Sequence, residues 1–191
     1  MLNLVLFGKP GSGKGTQANF LKDKYDLIHI STGDVFRKNI KNQTELGLKA
    51  QGYTQKGELV PDDVTVSMLE NEIKQNLPCN GFIFDGFPRT LNQADEMNKI
   101  LFKYKMELSA IVALEVDDDL LTDRLLKRGL ISGRSDDQSS EKILTRLNEY
   151  RNKTEPLIDY YSKINRFHTV SGVGEINEIS SRLLDLIESV R

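Results

Sequence analysis

The sequence predicts an α/β chain in which a five-stranded parallel sheet carries helices on both faces. Three observations point there. Short apolar runs alternate with longer stretches of helical period, several of those runs are apolar throughout, and a Gly-rich string stands between the first run and the first helical stretch. At 191 residues, 38% hydrophobic and 28% charged, the chain has the composition of a soluble globular protein and the length of one domain.

Residues 2–7 read as a buried strand. They are apolar, but no basic stretch precedes them and Gly8-Lys9-Pro10-Gly11 follows at once, which argues against a signal peptide or a membrane span. Ala18, Leu21 and Tyr25 then share one face of a helix, and a second strand is expected at 27–30. From 31 to 60 the pattern is polar and punctuated by Gly, predicting short helices in a surface lobe. Val64, Met68, Ile73 and Leu77 share the next helical face, before a third strand at 82–85 and a fourth at 110–116. Asp117-Asp118-Asp119 supplies capping and favourable charge for a helix running to about 127, which Gly129 is expected to end. Residues 129–137, rich in Gly, Ser and Asp, predict a second surface loop. A fifth strand follows at 166–170, and Ile176, Ile179, Leu183, Leu186, Ile187 and Val190 form the apolar face of a closing helix.

The net charge of −2 supplies no general field for nucleic acid, so an anionic ligand has to be met by a local cluster of Arg and Lys. Cys79 is the only cysteine, which excludes an internal disulfide and a zinc knuckle and fits a reducing cytoplasmic compartment. It is expected to be a buried, inert thiol. His29 and His168 lie in apolar, strand-like segments and are expected to be structural.

Chemistry first appears in Gly8-Lys9-Pro10-Gly11-Ser12-Gly13-Lys14-Gly15-Thr16, which follows a strand and opens a helix. Glycines there let successive N–H groups turn inward, and the helix N-terminus adds partial positive charge, so the loop is a concave phosphate site. Lys14 is placed to reach β- and γ-phosphates. The common pattern has Ser or Thr directly after the Lys; here Gly15 intervenes before Thr16. Asp85 ends an apolar strand that falls beside this loop, where it would orient Mg²⁺ through water, with Thr16 a second candidate for the metal.

A second set of signals follows: Ser31-Thr32-Gly33-Asp34 with Arg37, Gly57 to Pro61, Asp85 to Arg89 with Gln93, Asp123-Arg124 with Arg128, and Ser132 to Asp137 with Arg146. With the GKGT form of the phosphate loop, these resemble the adenylate kinase family, in the family's order from residue 8 to Gly174. The resemblance implies a P-loop NTPase-type three-layer fold and a single kinase domain over 1–191. Its core would be 1–30, 61–126 and 138–191, with an AMP-binding lobe at 31–60 and a short lid at 127–137.

It also implies ATP bound by Gly11, Ser12, Gly13, Lys14, Gly15, Thr16, Arg124, Arg128 and Gly174. AMP would be bound by Thr32, Arg37, Glu58, Leu59, Val60, Gly86, Phe87, Pro88, Arg89, Gln93, Arg134 and Arg146, with Thr32 and Gln93 at the adenine and Arg37 and Arg89 on the α-phosphate. Catalysis would fall to Lys14, Arg89, Arg124, Arg134 and Arg146, with Mg²⁺ and no general base, since the attacking phosphate is already anionic. Arg124 and Arg128, at i and i+4, would both project from one helix face. The lid lacks the longer insertion that carries metal ligands in other members, so no structural zinc is expected. The partners implied are ATP, AMP and ADP, with a cytoplasmic monomer and neither nucleic acid nor membrane. Lys9 and Val35-Phe36 depart from the family's usual residues, and Lys9 is expected to point to solvent. A UMP/CMP kinase is the nearest alternative, against which Thr32 and Gln93 speak. A regulatory nucleotide-binding module is the alternative of another class.

Overall fold

A computed structural model describes residues 1–164 and 166–190. Asn165 and Arg191, both inside the expected core segment, lie outside the described residues. In chain order the elements are β1 (Leu2–Phe7), α1 (Lys14–Tyr25), β2 (Ile28–Ser31), α2 (Thr32–Lys41), α3 (Glu45–Lys56), α4 (Asp62–Asn76), β3 (Gly81–Asp85), α5 (Leu91–Lys103), β4 (Ala110–Glu115), α6 (Asp118–Ser132), α7 (Ser140–Glu149), α8 (Pro156–Ser162), β5 (Phe167–Ser171) and α9 (Ile176–Val190). A 3-10 turn at Ser135–Asp137 precedes α7, and a π-helical turn at Tyr150–Thr154 joins α7 to α8.

The strands form one sheet in the order β2-β3-β1-β4-β5, and every pairing is parallel. Alternate side chains of the central strands feed two separate cores. Val5 and Phe7, Phe82 and Phe84, and Ile111 and Ala113 point to one face, where they meet Leu69 and Ile73 of α4, Ala94 and Met97 of α5 and Leu157 and Tyr161 of α8. Leu4 and Leu6, Ile83, and Val112 and Leu114 point to the other, against Ala18 and Leu21 of α1 and Ile179, Leu183 and Ile187 of α9. Burial on both faces is why these strands are continuously apolar in sequence. β1 lies mid-sheet, and its C-terminal end opens into the crevice where parallel sheets of this kind hold ligands.

Two smaller clusters stand off the sheet. Phe36, Ala50, Val60 and Met68 pack together and tie α2 and α3 to α4. Leu121 and Leu125 of α6 pack on Ile143 and Leu147 of α7. Residues 32–56 are more regular than the polar sequence suggests. Ser31 caps α2 by accepting from the Asp34 N–H, Thr44 caps α3 by accepting from the Gly47 N–H, and Gly47 presses directly on the Asn39 backbone.

One boundary expectation is corrected. The helix after Asp117 does not stop at Gly129 but continues to Ser132, where Gly133 in a left-handed conformation closes it. Gly129 is helical and buried, and a Cβ there would stand 2.5 Å from the Asp137 carbonyl oxygen. The glycine is present because the segment folding back onto α6 needs its space. Residues 129–137 are thus helix, left-handed cap and 3-10 turn in place of a loop. Lys9 is also corrected: its ammonium donates to Asp118 at 2.6 Å, which pins the phosphate loop to the first turn of α6.

Candidate active site

The loop between β1 and α1 adopts the conformation its glycines permit. Gly13 sits at φ 97° and ψ 4° as the N-cap of α1, and Gly11 at φ 88°, a region that side-chain-bearing residues rarely enter. A Cβ on Gly11 would also meet Leu125 and the Leu121 carbonyl within 3.2 Å, so the loop lies tight on α6. Inside the curl, the Lys14 ammonium donates to the carbonyls of Gly8 at 2.6 Å and Lys9 at 3.0 Å, and reaches Ser12 Oγ at 3.4 Å. Burial lowers the Lys14 pKa to about 8; Asp85 acts to raise it, while Arg89, Arg146 and Arg128 push it further down. A lysine crowded by cations in a low-dielectric cleft marks a site shaped for anions.

That cleft has a volume of about 570 Å³ and opens beyond the C-terminal ends of β1, β2 and β3. Lys14, Arg37, Arg89, Arg128, Arg134 and Arg146 all line it. Arg89 is enclosed: its Nε donates to the Gly86 carbonyl at 2.7 Å, and burial followed by the Arg146 charge lowers its pKa to about 10, so it stays cationic at neutral pH. Thr154 from the π-helical turn donates to the Arg89 carbonyl at 3.0 Å, tying the turn to the site.

Acidic side chains hold the remaining guanidinium groups. Arg128 makes a two-pronged pair with Asp137, and Arg146 contacts Asp137 and also Asp136 at 2.9 Å. Burial acts to raise the Asp137 pKa, but Arg128 and Arg146 more than offset this and hold it below the ordinary carboxylate value. Asp34 binds Arg37 at 2.5 Å and lies 3.6 Å from Arg134. Asp34, Asp136 and Asp137 stand in family-like strings of the sequence, but their role as arginine holders emerges only once the chain folds back.

Asp85 ends β3 at the cleft, with Oδ2 3.4 Å from His29 Nε2. Burial acts to raise the Asp85 pKa, yet His29 and the Lys14 charge outweigh it and keep the group an anionic acceptor. His29 therefore lines the site as well as filling strand β2, which its apolar surroundings in sequence concealed. His168 lies in β5 with a buried Nε2 that has no hydrogen-bond partner among the described residues.

On the other side of the cleft stand Thr32, Glu58, Leu59, Val60, Gly86, Pro88 and Gln93. The Thr32 hydroxyl donates to the Gly86 carbonyl at 3.0 Å, and Arg89 Nη2 reaches the same hydroxyl at 3.5 Å. Gly11, Gly13, Gly15 and Thr16 line the phosphate end. Four of the expected residues sit outside the lining. Ser12 is buried within the loop and Phe87 in the core. The Arg124 guanidinium turns to the Gly172 carbonyl at 3.4 Å, on the outer flank of the phosphate loop. Gly174 belongs to that same 172–174 turn and not to the phosphate cleft. The i and i+4 spacing of Arg124 and Arg128 therefore does not bring both to the cleft lining.

Fold and site together define a P-loop NTPase-type protein whose cleft gathers far more fixed positive charge than one phosphate loop supplies. The profile describing adenylate kinase matches residues 6–166. The chain is 55% identical over 190 residues to adenylate kinase of Flavobacterium psychrophilum and 53% identical over 190 residues to that of Flavobacterium johnsoniae, with all of each chain covered. It is 46% identical over 191 residues to adenylate kinase of Porphyromonas gingivalis, covering all of this chain and 98% of the relative. The chain belongs to the adenylate kinase family.

Proposed function

We propose that the chain catalyses reversible transfer of the γ-phosphoryl group of MgATP to AMP, giving two ADP. The observation that carries this is the convergence of Lys14 and five arginines on one cleft, charge enough for two polyphosphates meeting end to end. The donor's phosphates would lie in the curl of Gly11, Ser12, Gly13, Lys14, Gly15 and Thr16, with Arg128 above them. Arg124 and Gly174, on the outer flank, would meet the donor's nucleoside side. The acceptor would lie along Thr32, Glu58, Leu59, Val60, the Gly86-Phe87-Pro88 turn and Gln93, its phosphate held by Arg37 and Arg89. Arg134 and Arg146 would bridge the two.

Three groups of residues would share the work: a core at 1–30, 61–126 and 138–191, an acceptor lobe at 31–60 and a lid at 127–137. The apolar cluster of Phe36, Ala50 and Val60, which packs on Met68 apart from the sheet, supports the acceptor lobe.

Asp85 and Thr16 fit Mg²⁺: one is an anionic, acceptor-only group at the phosphate end, the other a hydroxyl in the first turn of α1, and both line the cleft. They would hold the ion through water and alongside the phosphates, where it supplies charge neutralisation. The chain's own residues align the acceptor phosphate with the donor and place guanidinium donors where negative charge spreads during transfer. No covalent intermediate and no general base is required. Among the described residues no helix is long and apolar enough to cross a membrane, and a cytoplasmic monomer is the proposed state.

A coupled assay with ATP and AMP, UMP, CMP or GMP as acceptor tests the reading. AMP is expected to be preferred; preference for UMP or CMP would overturn the substrate assignment, and no transfer to any of the four would overturn the activity.

A further inference from the structure

We propose that Asp62 is a positioning residue that makes this site select bases presenting a ring-nitrogen acceptor beside an amino group over those presenting a ring N–H beside an oxo group, by locking the Gln93 side-chain amide in one orientation. The inference rests on the proposal that the acceptor base lies against Gln93. It deepens that reading by naming what chooses the base.

Gln93 is 2% exposed and lines the acceptor side of the cleft. Its amide has two committed contacts: Oε1 accepts from the Arg89 backbone N–H at 2.8 Å, and Nε2 donates to Asp62 Oδ1 at 2.7 Å. Neither contact can be reversed. A backbone N–H only donates and a carboxylate only accepts, so rotating the amide by half a turn would set donor against donor and acceptor against acceptor in a buried place. The Asp62 carboxylate is itself held, since Oδ2 accepts from the Thr90 hydroxyl at 2.9 Å and from Asn92 Nδ2 at 3.0 Å. Asp62 begins α4 while Thr90, Asn92 and Gln93 lie at the start of α5, so the clamp joins two helices.

With those contacts made, Gln93 has one hydrogen on Nε2 and one lone pair on Oε1 to offer. Adenine presents a ring-nitrogen acceptor beside an amino donor, which this pair complements. Hypoxanthine and guanine present a ring N–H donor beside an oxo acceptor, which it opposes. A free amide could turn over and serve either edge; a locked one cannot. Discrimination between isosteres arises in this way when a buried polar group is left mismatched. A bland account makes Gln93 only a helix-start residue whose side chain covers the Arg89 N–H, and it assigns Asp62 no effect on base choice.

The test compares kcat/KM for AMP and IMP as acceptors, which differ only in that amino-to-oxo exchange, in the parent enzyme and in Asp62→Asn, Asp62→Ser and Asp62→Glu. Asn and Ser can donate as well as accept, so they unlock the amide, and the AMP-to-IMP ratio is expected to fall by about tenfold or more, the worth of one such hydrogen bond. Asp62→Glu keeps an acceptor-only group and should retain most of the parent's ratio. Ser serves if the Asn variant does not fold, melting temperature being the check. A ratio unchanged within about twofold in a folded Asn or Ser variant, or a Glu variant that falls as far as they do, overturns the proposal. A parent that prefers IMP, or lacks AMP activity, overturns instead the substrate reading beneath it.

Discussion

Arg128 grips Asp137 with two parallel bonds, Nε to Oδ2 at 2.7 Å and Nη2 to Oδ1 at 3.0 Å, and it is this pair that closes the turn after α6. Asp137 is 1% exposed and also serves Arg146, so a single carboxylate orders two cleft arginines from two helices. Replacing it by Ala leaves both guanidinium groups with one partner fewer in a half-buried place. Asp137→Ala should therefore cost about 2–3 kcal/mol, on the scale of hydrogen bonds to charged groups. In a chain of this size that lowers the melting midpoint by roughly 4 °C or more. Thermal unfolding followed by circular dichroism checks this, and an unchanged midpoint would mean that the pair contributes nothing.

Glycine-to-alanine changes should have opposite signs at two helical positions. Gly52 in α3 has open space around it, so Gly52→Ala should stabilise by about 0.5–1 kcal/mol. Gly129 faces the Asp137 carbonyl, 2.5 Å from where a Cβ would sit, and backbone on both sides cannot yield cheaply. Gly129→Ala should destabilise by about 1–3 kcal/mol despite Ala's better helix propensity. Denaturant midpoints for the two variants decide it.

Arg89→Ala should reduce kcat by about a hundredfold or more, the scale for losing one preorganised donor, while the melting curve stays cooperative. Arg89 combines enclosure with a guanidinium directed by the Gly86 carbonyl, so Lys in its place should recover only part of the rate. Near-normal turnover in a folded Ala variant would remove it from the phosphate grip.

Lys14 gives the pH dependence. Its pKa of about 8 should rise when phosphates bind, because anions favour the ammonium form. Binding ATP at pH 8 should accordingly take up about half a proton, and affinity should weaken as pH climbs through that value. For folding the sign is fixed by the depressed pKa: between about 8 and the ordinary 10.5 the unfolded chain holds more protons on this lysine, so its contribution raises stability as pH rises through that window. Calorimetry in two buffers of different ionisation enthalpy measures the uptake, and zero uptake at pH 8 would contradict the assignment.

Much of this was legible in the residues. β1 matches its expected span, β3 and β4 differ from theirs by one residue at one end, and β2 and β5 are shifted by one residue, because runs buried on both faces leave a continuous apolar signal. The phosphate loop was equally plain, since its glycines, lysine and following helix stand together in sequence. What escaped notice depends on distant parts meeting. Gly129 reads as a helix stop until the chain returns over it and shows a glycine kept for room. Lys9 reads as solvent-facing until Asp118, far along the chain, comes within 2.6 Å. Helical spacing put Arg124 beside Arg128, but spacing alone cannot say that a 172–174 turn draws one of them away. The clamp on Gln93 joins α4 to α5 and has no sequence signature.

The central claim is that two nucleotides share one cationic cleft and exchange a phosphoryl group directly. Product analysis of the enzyme with MgATP, with and without AMP, tests it most directly. The account predicts that ATP is consumed only when AMP is present, that two ADP form for each ATP, and that no free phosphate appears. Release of phosphate from ATP at a rate independent of AMP would contradict it.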